Sequence, residues 1–143
     1  MDDSNTPPVI EQAGAVMYRR ETGEIQILTV RAKRDPSVRI FPKGHIEDGE
    51  NDIEASAREC FEEAGMSGIV IGFCGERKFT YEGKLYRVRY HVIRYESTEH
   101  DGEPGREPQW NSVSKTRELL PFPGLKEILD KSFEMIKSKE NHK

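Results

Sequence analysis

The sequence lacks whatever would staple a fold covalently or hold it in a membrane. Its two cysteines, Cys60 and Cys74, make no disulfide framework among 143 residues, and no metal-type spacing joins them to the four scattered histidines. No apolar stretch approaches the roughly 20 residues that a bilayer-spanning helix needs. The N-terminus, Met1 to Pro8, is acidic and contains proline, without the basic-then-apolar order of a secretory signal. A reducing cytoplasm is the compartment these absences imply. Excess positive charge is lacking too. The net charge is −4, which argues against a general binder of nucleic-acid polymers. Repeats and low-complexity linkers are also missing.

What is present is one domain's worth of periodic sequence, with 34% apolar and 34% charged residues. Residues 1–8 read as a loose tail and 9–140 as a single folded domain. Ala13 to Tyr18 and Ile25 to Val30 read as strands joined by a turn at Arg19 to Glu24. Val38 to Phe41 is a short extended piece running into Pro42, and Lys43 to Glu50 is a Gly-rich, acidic loop. Residues 52–64 read as a helix. Asn51 and Glu54 suit a capping box at its start, and Gly65 suits a left-handed residue at its end. Ile69 to Phe79 and Leu85 to Tyr95 read as strands around a Tyr-Glu-Gly-Lys turn, and 97–108 as a polar loop. A short strand, Gln109 to Val113, precedes a last helix after Pro121 and Pro123. That helix carries Leu125, Ile128, Leu129, Phe133 and Ile136 on one stripe. Strands with helices both mid-chain and at the end predict an α/β fold, a mixed sheet covered by helices.

The helix at 52–64 concentrates the chemistry. At about 100° per residue, with Glu59 at zero, Glu62 falls near −60° and Glu63 near +40°. Ile53, Ala57, Cys60, Phe61 and Ala64 fall on the other side, which is expected to bury. Like charges three and four residues apart repel, and the macrodipole disfavours anions near a helix C-terminus. A sequence that tolerates both penalties implies a compensating cation, and clustered carboxylates suit magnesium or manganese. An exposed Glu-Glu pair also serves as an ordinary solvated face; the preceding loop and the spacing decide against that.

From Gly44 the chain reads Gly, five residues, Glu50, seven residues, Arg58-Glu59-Cys60, one residue, Glu62-Glu63, one residue, Gly65-Met66. This pattern resembles the Nudix box at each defining position across residues 44–66, with Cys60 where the family usually has a large aliphatic residue. Ala13 to Val16, the Phe41-Pro42-Lys43-Gly44-His45 lead-in and a Trp strand before a C-terminal helix resemble the family as well. The resemblance implies an α/β/α sandwich around a mixed sheet and metal-dependent hydrolysis of a diphosphate linkage. Glu59, Glu62 and Glu63 would bind the metal ions, with the Gly44 carbonyl as a further ligand. Arg58 would orient the carboxylates, and Glu50 would hold the loop or reach a metal through water. One acid would take the proton from the attacking water; Glu59, Glu63, Glu103 and Glu107 are candidates. A catalytic role for Cys60 is disfavoured by its place on the apolar face.

The lead-in at 41–49 is similar to that of dinucleoside polyphosphate and diphosphoinositol polyphosphate hydrolases, with Lys43 and His45 as phosphate contacts. A solvated loop charge is the plain alternative for both. Basic residues gather after the box at Arg77, Lys78, Lys84, Arg87, Arg89 and Arg94. Arg87, Arg89 and His91 alternate with Tyr86, Val88, Tyr90 and Val92, so one face of that strand is basic. It lines a phosphate cleft or is simply solvated. Tyr81 and Tyr86 fall near the region where dinucleoside polyphosphate hydrolases tend to carry a Tyr. The absence of proline between Lys43 and Glu103 counts against the ADP-ribose branch. The leading expectation is cleavage of diadenosine tetra- to hexaphosphate. Diphosphoinositol polyphosphates and nucleoside triphosphates are the enzyme alternatives, and a binding module without turnover is the alternative outside enzymes. The partner is a small phosphorylated molecule, with no membrane; monomer and homodimer both stay open.

Overall fold

The computed structural model describes residues 8–140. Apart from Pro8, the expected tail lies outside the described residues. Two tight turns set the frame. At Thr22-Gly23 and Glu82-Gly83 both central residues have positive φ, 49° and 83° in one turn and 49° and 74° in the other. Such turns match the right-handed twist of paired strands, and glycine adopts them without Cβ strain. They join β1 (Val9–Glu21) to β2 (Glu24–Arg31) and β5 (Met66–Tyr81) to β6 (Lys84–Thr98).

β1 is the strand on which the sheet is built. It runs parallel to β6 from Val9↔Leu85 to Tyr18↔Arg94. Its other edge pairs antiparallel with β2 at Tyr18↔Ile27 and with β4 (Lys43–His45) at Gly14↔Lys43. β3 (Arg39–Ile40) and β7 (Gln109–Ser112) pair with β2, completing a seven-stranded mixed sheet.

Alternation along the strands gives the sheet two apolar faces. Ala15, Met17, Leu28, Val30 and Ile93 pack under α1 (Asp52–Ala64) with Cys60 and Ala64. Val16, Tyr18, Ile27, Val88, Tyr90 and Val92 pack under α3 (Pro123–Glu140) with Leu125, Ile128, Leu129 and Ile136. The result is the expected α/β/α sandwich.

The strands run longer than the apolar runs suggest, because pairing continues into polar hairpin arms. A short helix, α2 (Val113–Leu119), follows β7 directly, capped by the Ser112 side chain accepting from Lys115 N–H; its seven residues are too few to show a period. On α3, Ser132 rather than Phe133 is buried in the stripe. Its hydroxyl donates to the Ile128 carbonyl at 2.7 Å, which satisfies it inside the core.

Candidate active site

α1 is fixed at both ends by local chemistry. Asn51 accepts from Glu54 N–H at 2.8 Å, and Glu54 returns a bond to Asn51 N–H at 3.0 Å, the reciprocal capping box. Gly65 ends the helix at φ 73°. A Cβ there would lie 1.9 Å from the His100 carbonyl oxygen, so only glycine lets the loop after β6 close on the helix end.

The expected division of α1 into an apolar buried side and an acidic exposed side needs correcting. Ile53 and Phe61 are exposed, whereas Glu63 is 3% exposed and Ala55, Ser56, Cys60 and Ala64 share its face. The helix lies on the sheet through its small side chains. The two largest apolar residues were the misleading part of the pattern, and two carboxylates face inward.

Arg58 organises the acids outside. It grips Glu50 with two bonds, Nε to Oε2 at 2.7 Å and Nη2 to Oε1 at 3.0 Å. Its Nη1 donates to Glu59 at 2.9 Å and Glu62 at 3.0 Å, and its Nη2 donates to the His45 carbonyl at 2.9 Å. Four partners hold the guanidinium firmly charged. Glu50 is thereby a strut between loop and helix, its carboxyl held below the usual range chiefly by Arg58. Glu62 is turned toward Arg58 and solvent, its side chain 53% exposed.

Glu59 and Glu63 converge under β4. A Cβ on Gly44 would stand 2.3 Å from the Glu59 carboxyl carbon, so glycine is what admits that carboxylate against the strand. Burial, then the hydrogen bond with Glu59, pushes the Glu63 carboxyl up to about 9. Its Oε1 lies 3.5 Å from Arg106 Nη2, too far for a good bond, and has no hydrogen-bond partner among the described residues.

The loop from His100 to Pro108 brings a third acid. Gly102 packs so closely on α1 that a Cβ would meet the Glu63 carbonyl oxygen at 2.4 Å, and Glu103 N–H donates to that same oxygen at 3.0 Å. Glu103 accepts from Arg106 Nε at 2.9 Å, which holds its carboxyl below the usual range. Arg106 is itself buried and donates to the Arg31 carbonyl at 2.9 Å. Glu107 is not part of this cluster: its side chain is 61% exposed and pairs with Arg31 at 2.8 Å.

On the α3 side of the sheet lies a cleft of about 540 Å³ whose cations are Lys33, Arg34, Lys43, Arg77 and Arg106 and whose rings include Phe79, Tyr81 and Phe122; Lys43 and Arg106 connect it to Glu63. Lys43 is largely buried there, and desolvation lowers its ammonium to about 8 although Glu63 opposes the shift. Tyr81 also lines it, with the Arg34 guanidinium 3.5 Å above its ring. Arg34 and Arg106 carry no local sequence signal, and Arg77 stood out only as one of several basic residues. Three separate segments bring them together.

The other expected contacts lie elsewhere. Arg87 and Arg89 do not line the cleft; they occupy the opposite face of the sheet, paired with Glu11 and Glu76. His91 is buried and bonds Asp52 at 2.7 Å. His45 is exposed, and its backbone carbonyl rather than its ring makes the contact recorded above. Cys60 is buried beneath α1, and burial pushes its thiol up to about 12, which suits packing rather than nucleophilic chemistry.

Among the described residues no three acid, imidazole or thiol groups stand close enough to form a finished metal cage, because Arg58 draws Glu62 away. The inner pair still fits a hard divalent ion. Two adjoining carboxylates, one with an orphaned buried oxygen, sit beside a backbone that glycine keeps close. Among the described residues no helix is long and apolar enough to cross a membrane.

Comparison with known proteins adds to this geometry. A family model described as "NUDIX domain" matches residues 10–137. The bis(5'-nucleosyl)-tetraphosphatase [asymmetrical] of Caenorhabditis elegans is 39% identical over 91 residues, 60% of this chain and 65% of that protein, so the match spans just under two thirds of that relative's length. The Sus scrofa protein of the same name is 25% identical over 140 residues, covering 89% of this chain and 95% of that one. Nudix hydrolase 16, mitochondrial, from Arabidopsis thaliana is 29% identical over 137 residues, covering 84% of this chain and 76% of that one. The crystal structure of a C. elegans Ap4A hydrolase binary complex shares the fold, with a TM-score of 0.78 over 90% of this chain and 98% of that chain at 22% identity.

Proposed function

Because the chain belongs to the NUDIX family, we propose that it is a pyrophosphohydrolase that cuts dinucleoside polyphosphates, diadenosine tetraphosphate and its longer homologues foremost. The observation that carries this reading is the Glu59–Glu63 pair next to Lys43 and Arg106, two of the cations that line an aromatic-walled cleft. Two named relatives are tetraphosphatases of this kind. The partly exposed rings of Tyr81 and Phe122 at the cleft favour a nucleobase over an inositol, because every base offers a face to stack.

Glu59 and Glu63 would hold a divalent ion, which we take to be magnesium, with Glu62 joining after release from Arg58 and the Gly44 carbonyl adding a backbone oxygen. Such an ion supplies charge neutralisation on the phosphates and an acidified water. Lys43 binds phosphate from the cleft side; most of its environment is dry, so each contact counts for more than in open solvent. Arg58 keeps the outer acids and the loop at 43–50 in one arrangement, a positioning role. Glu103 takes the proton from the attacking water. Arg106 holds it ionised, as a base must be, and its backbone bond to Glu63 keeps it at the cluster. We read 9–140 as one domain and place the protein in a reducing cytoplasm, where its two free, buried thiols stay reduced.

The test is product analysis on a panel of diadenosine polyphosphates, inositol pyrophosphates, ADP-ribose and nucleoside triphosphates at equal magnesium. Diadenosine tetraphosphate is expected to have the highest kcat/KM. Glu59→Gln and Glu63→Gln are each expected to lower kcat by about 100-fold or more, and Glu103→Gln by about 100- to 1,000-fold. A clear preference for ADP-ribose or for an inositol pyrophosphate would defeat the substrate assignment, and undiminished turnover in both inner variants would defeat the site.

A further inference from the structure

We propose that Arg77 is the residue by which the cleft selects for a long phosphate chain, binding a phosphate beyond the linkage that is cut. This rests on the polyphosphate reading above and adds to it a named residue and a length preference.

Of the other four cations of the cleft, three already have polar partners, and the fourth, Arg34, rests on a single ring. Lys43 Nζ donates to Gln12 Oε1 at 3.2 Å, Lys33 lies 3.4 Å from Glu103, Arg106 is bonded to Glu103, and Arg34 covers Tyr81. Arg77 has no carboxylate, amide or carbonyl acceptor among the described residues. Its guanidinium is packed between two rings, 4.6 Å from the centroid of Phe79 and 4.7 Å from that of Phe122. The side chain is half-buried, so it bears desolvation without the compensation of a neighbouring carboxylate.

The fold makes room for this arrangement. A Cβ on Gly124 would stand 3.1 Å from both Cδ and Nε of Arg77, inside ordinary contact distance. Gly124 opens α3, the positive end of the helix dipole, so this neighbour adds no negative charge. A planar cation with five donors is therefore held in one orientation toward the cleft, and the one carboxylate lining it, Asp35, is bonded to Ser37 rather than to Arg77.

Position along the cleft sets its role. Lys43 and Arg77 approach the same Phe79 ring, at 5.6 and 4.6 Å, and Lys43 alone of the two lies in the field of Glu63. The order outward is Glu63, Lys43, Arg77. A short diphosphate cut at Glu63 ends at Lys43, while a longer chain continues to the guanidinium and can accept two parallel N–H bonds from it.

The experiment compares wild type, R77Q, R77K and K115Q, the last on the exposed face of α2. The first readout is kcat/KM, with magnesium, for diadenosine di-, tri-, tetra- and pentaphosphate. R77Q is expected to lower the tetra- and pentaphosphate values by about 10- to 100-fold, mainly through KM, as loss of a charged hydrogen bond does. The diphosphate should stay within about threefold, R77K should recover part of the loss, and K115Q should match wild type. The second readout is calorimetric titration of inorganic tripolyphosphate without metal, where R77Q should bind at least about tenfold more weakly. Equal losses on all chain lengths, or R77Q indistinguishable from wild type in both readouts, overturns the proposal. Tripolyphosphate binding that depends on Arg77 in a protein that cuts no dinucleoside polyphosphate would instead remove the substrate reading and leave the anion site standing. Unfolding midpoints taken on all four proteins separate lost binding from lost structure.

Discussion

At the scale of single residues, Glu63 stores the conflict that the site resolves. Its carboxyl is buried, one oxygen lacks a hydrogen bond, and its pKa is raised from an ordinary 4.5 to about 9. In the metal-free fold it keeps its proton across an interval in which the unfolded chain has already released one. The unfolded state binds fewer protons there, so stability falls as pH rises from about 4.5 to about 9. Thermal unfolding in chelator across that range should show the decline, and Glu63→Gln should flatten it while abolishing turnover. A pH dependence identical in the variant would place the titration elsewhere. Divalent ion is expected to reverse the trend, since ion uptake requires the carboxylate and releases its proton.

At the scale of elements, α1 and β4 make separable contributions. The capping box at Asn51 and Glu54 is remote from the inner acids and acts on helix stability alone. Asn51→Ala is expected to cost about 1 kcal/mol and about 4 °C of Tm while leaving KM unchanged. Gly44→Ala acts in the opposite way. Its new methyl group meets the Glu59 carboxylate, so strand or side chain must move, and kcat should fall by about tenfold or more with a smaller effect on Tm. Parallel measurement of unfolding and steady-state kinetics on the two variants checks this. A Gly44→Ala enzyme with wild-type kcat would show that Glu59 does not need the close approach of β4.

At the scale of the whole molecule, charge is unevenly placed. The net charge is −4, yet Lys33, Arg34, Lys43, Arg77 and Arg106 converge on one cleft. Attraction of a polyanion is therefore local and screened by salt. Raising monovalent salt from about 0.05 to about 0.5 M should raise KM for the tetraphosphate several-fold and move kcat little. A KM indifferent to salt would mean that the cleft cations do not meet the phosphates.

The amino-acid order alone determined what depends on near neighbours. The caps of α1, the turns at Gly23 and Gly83 and the spacing from Gly44 to Gly65 follow from backbone preferences over a few residues, so they could be read directly. The two-faced strands were legible as well, since side-chain alternation is local. Tertiary structure decided which carboxylates go inside. A helical wheel places Glu59 and Glu63 relative to Cys60 but cannot say that the sheet accepts small side chains and excludes Ile53 and Phe61. It also decided which cations matter. Arg34, Arg77 and Arg106 belong to segments far apart in the chain, and only the packing of β5, α3 and two loops joins them, while Arg87 and Arg89 are carried to the other face. Contacts between distant segments are fixed by the packing of the whole chain, and no local pattern encodes them.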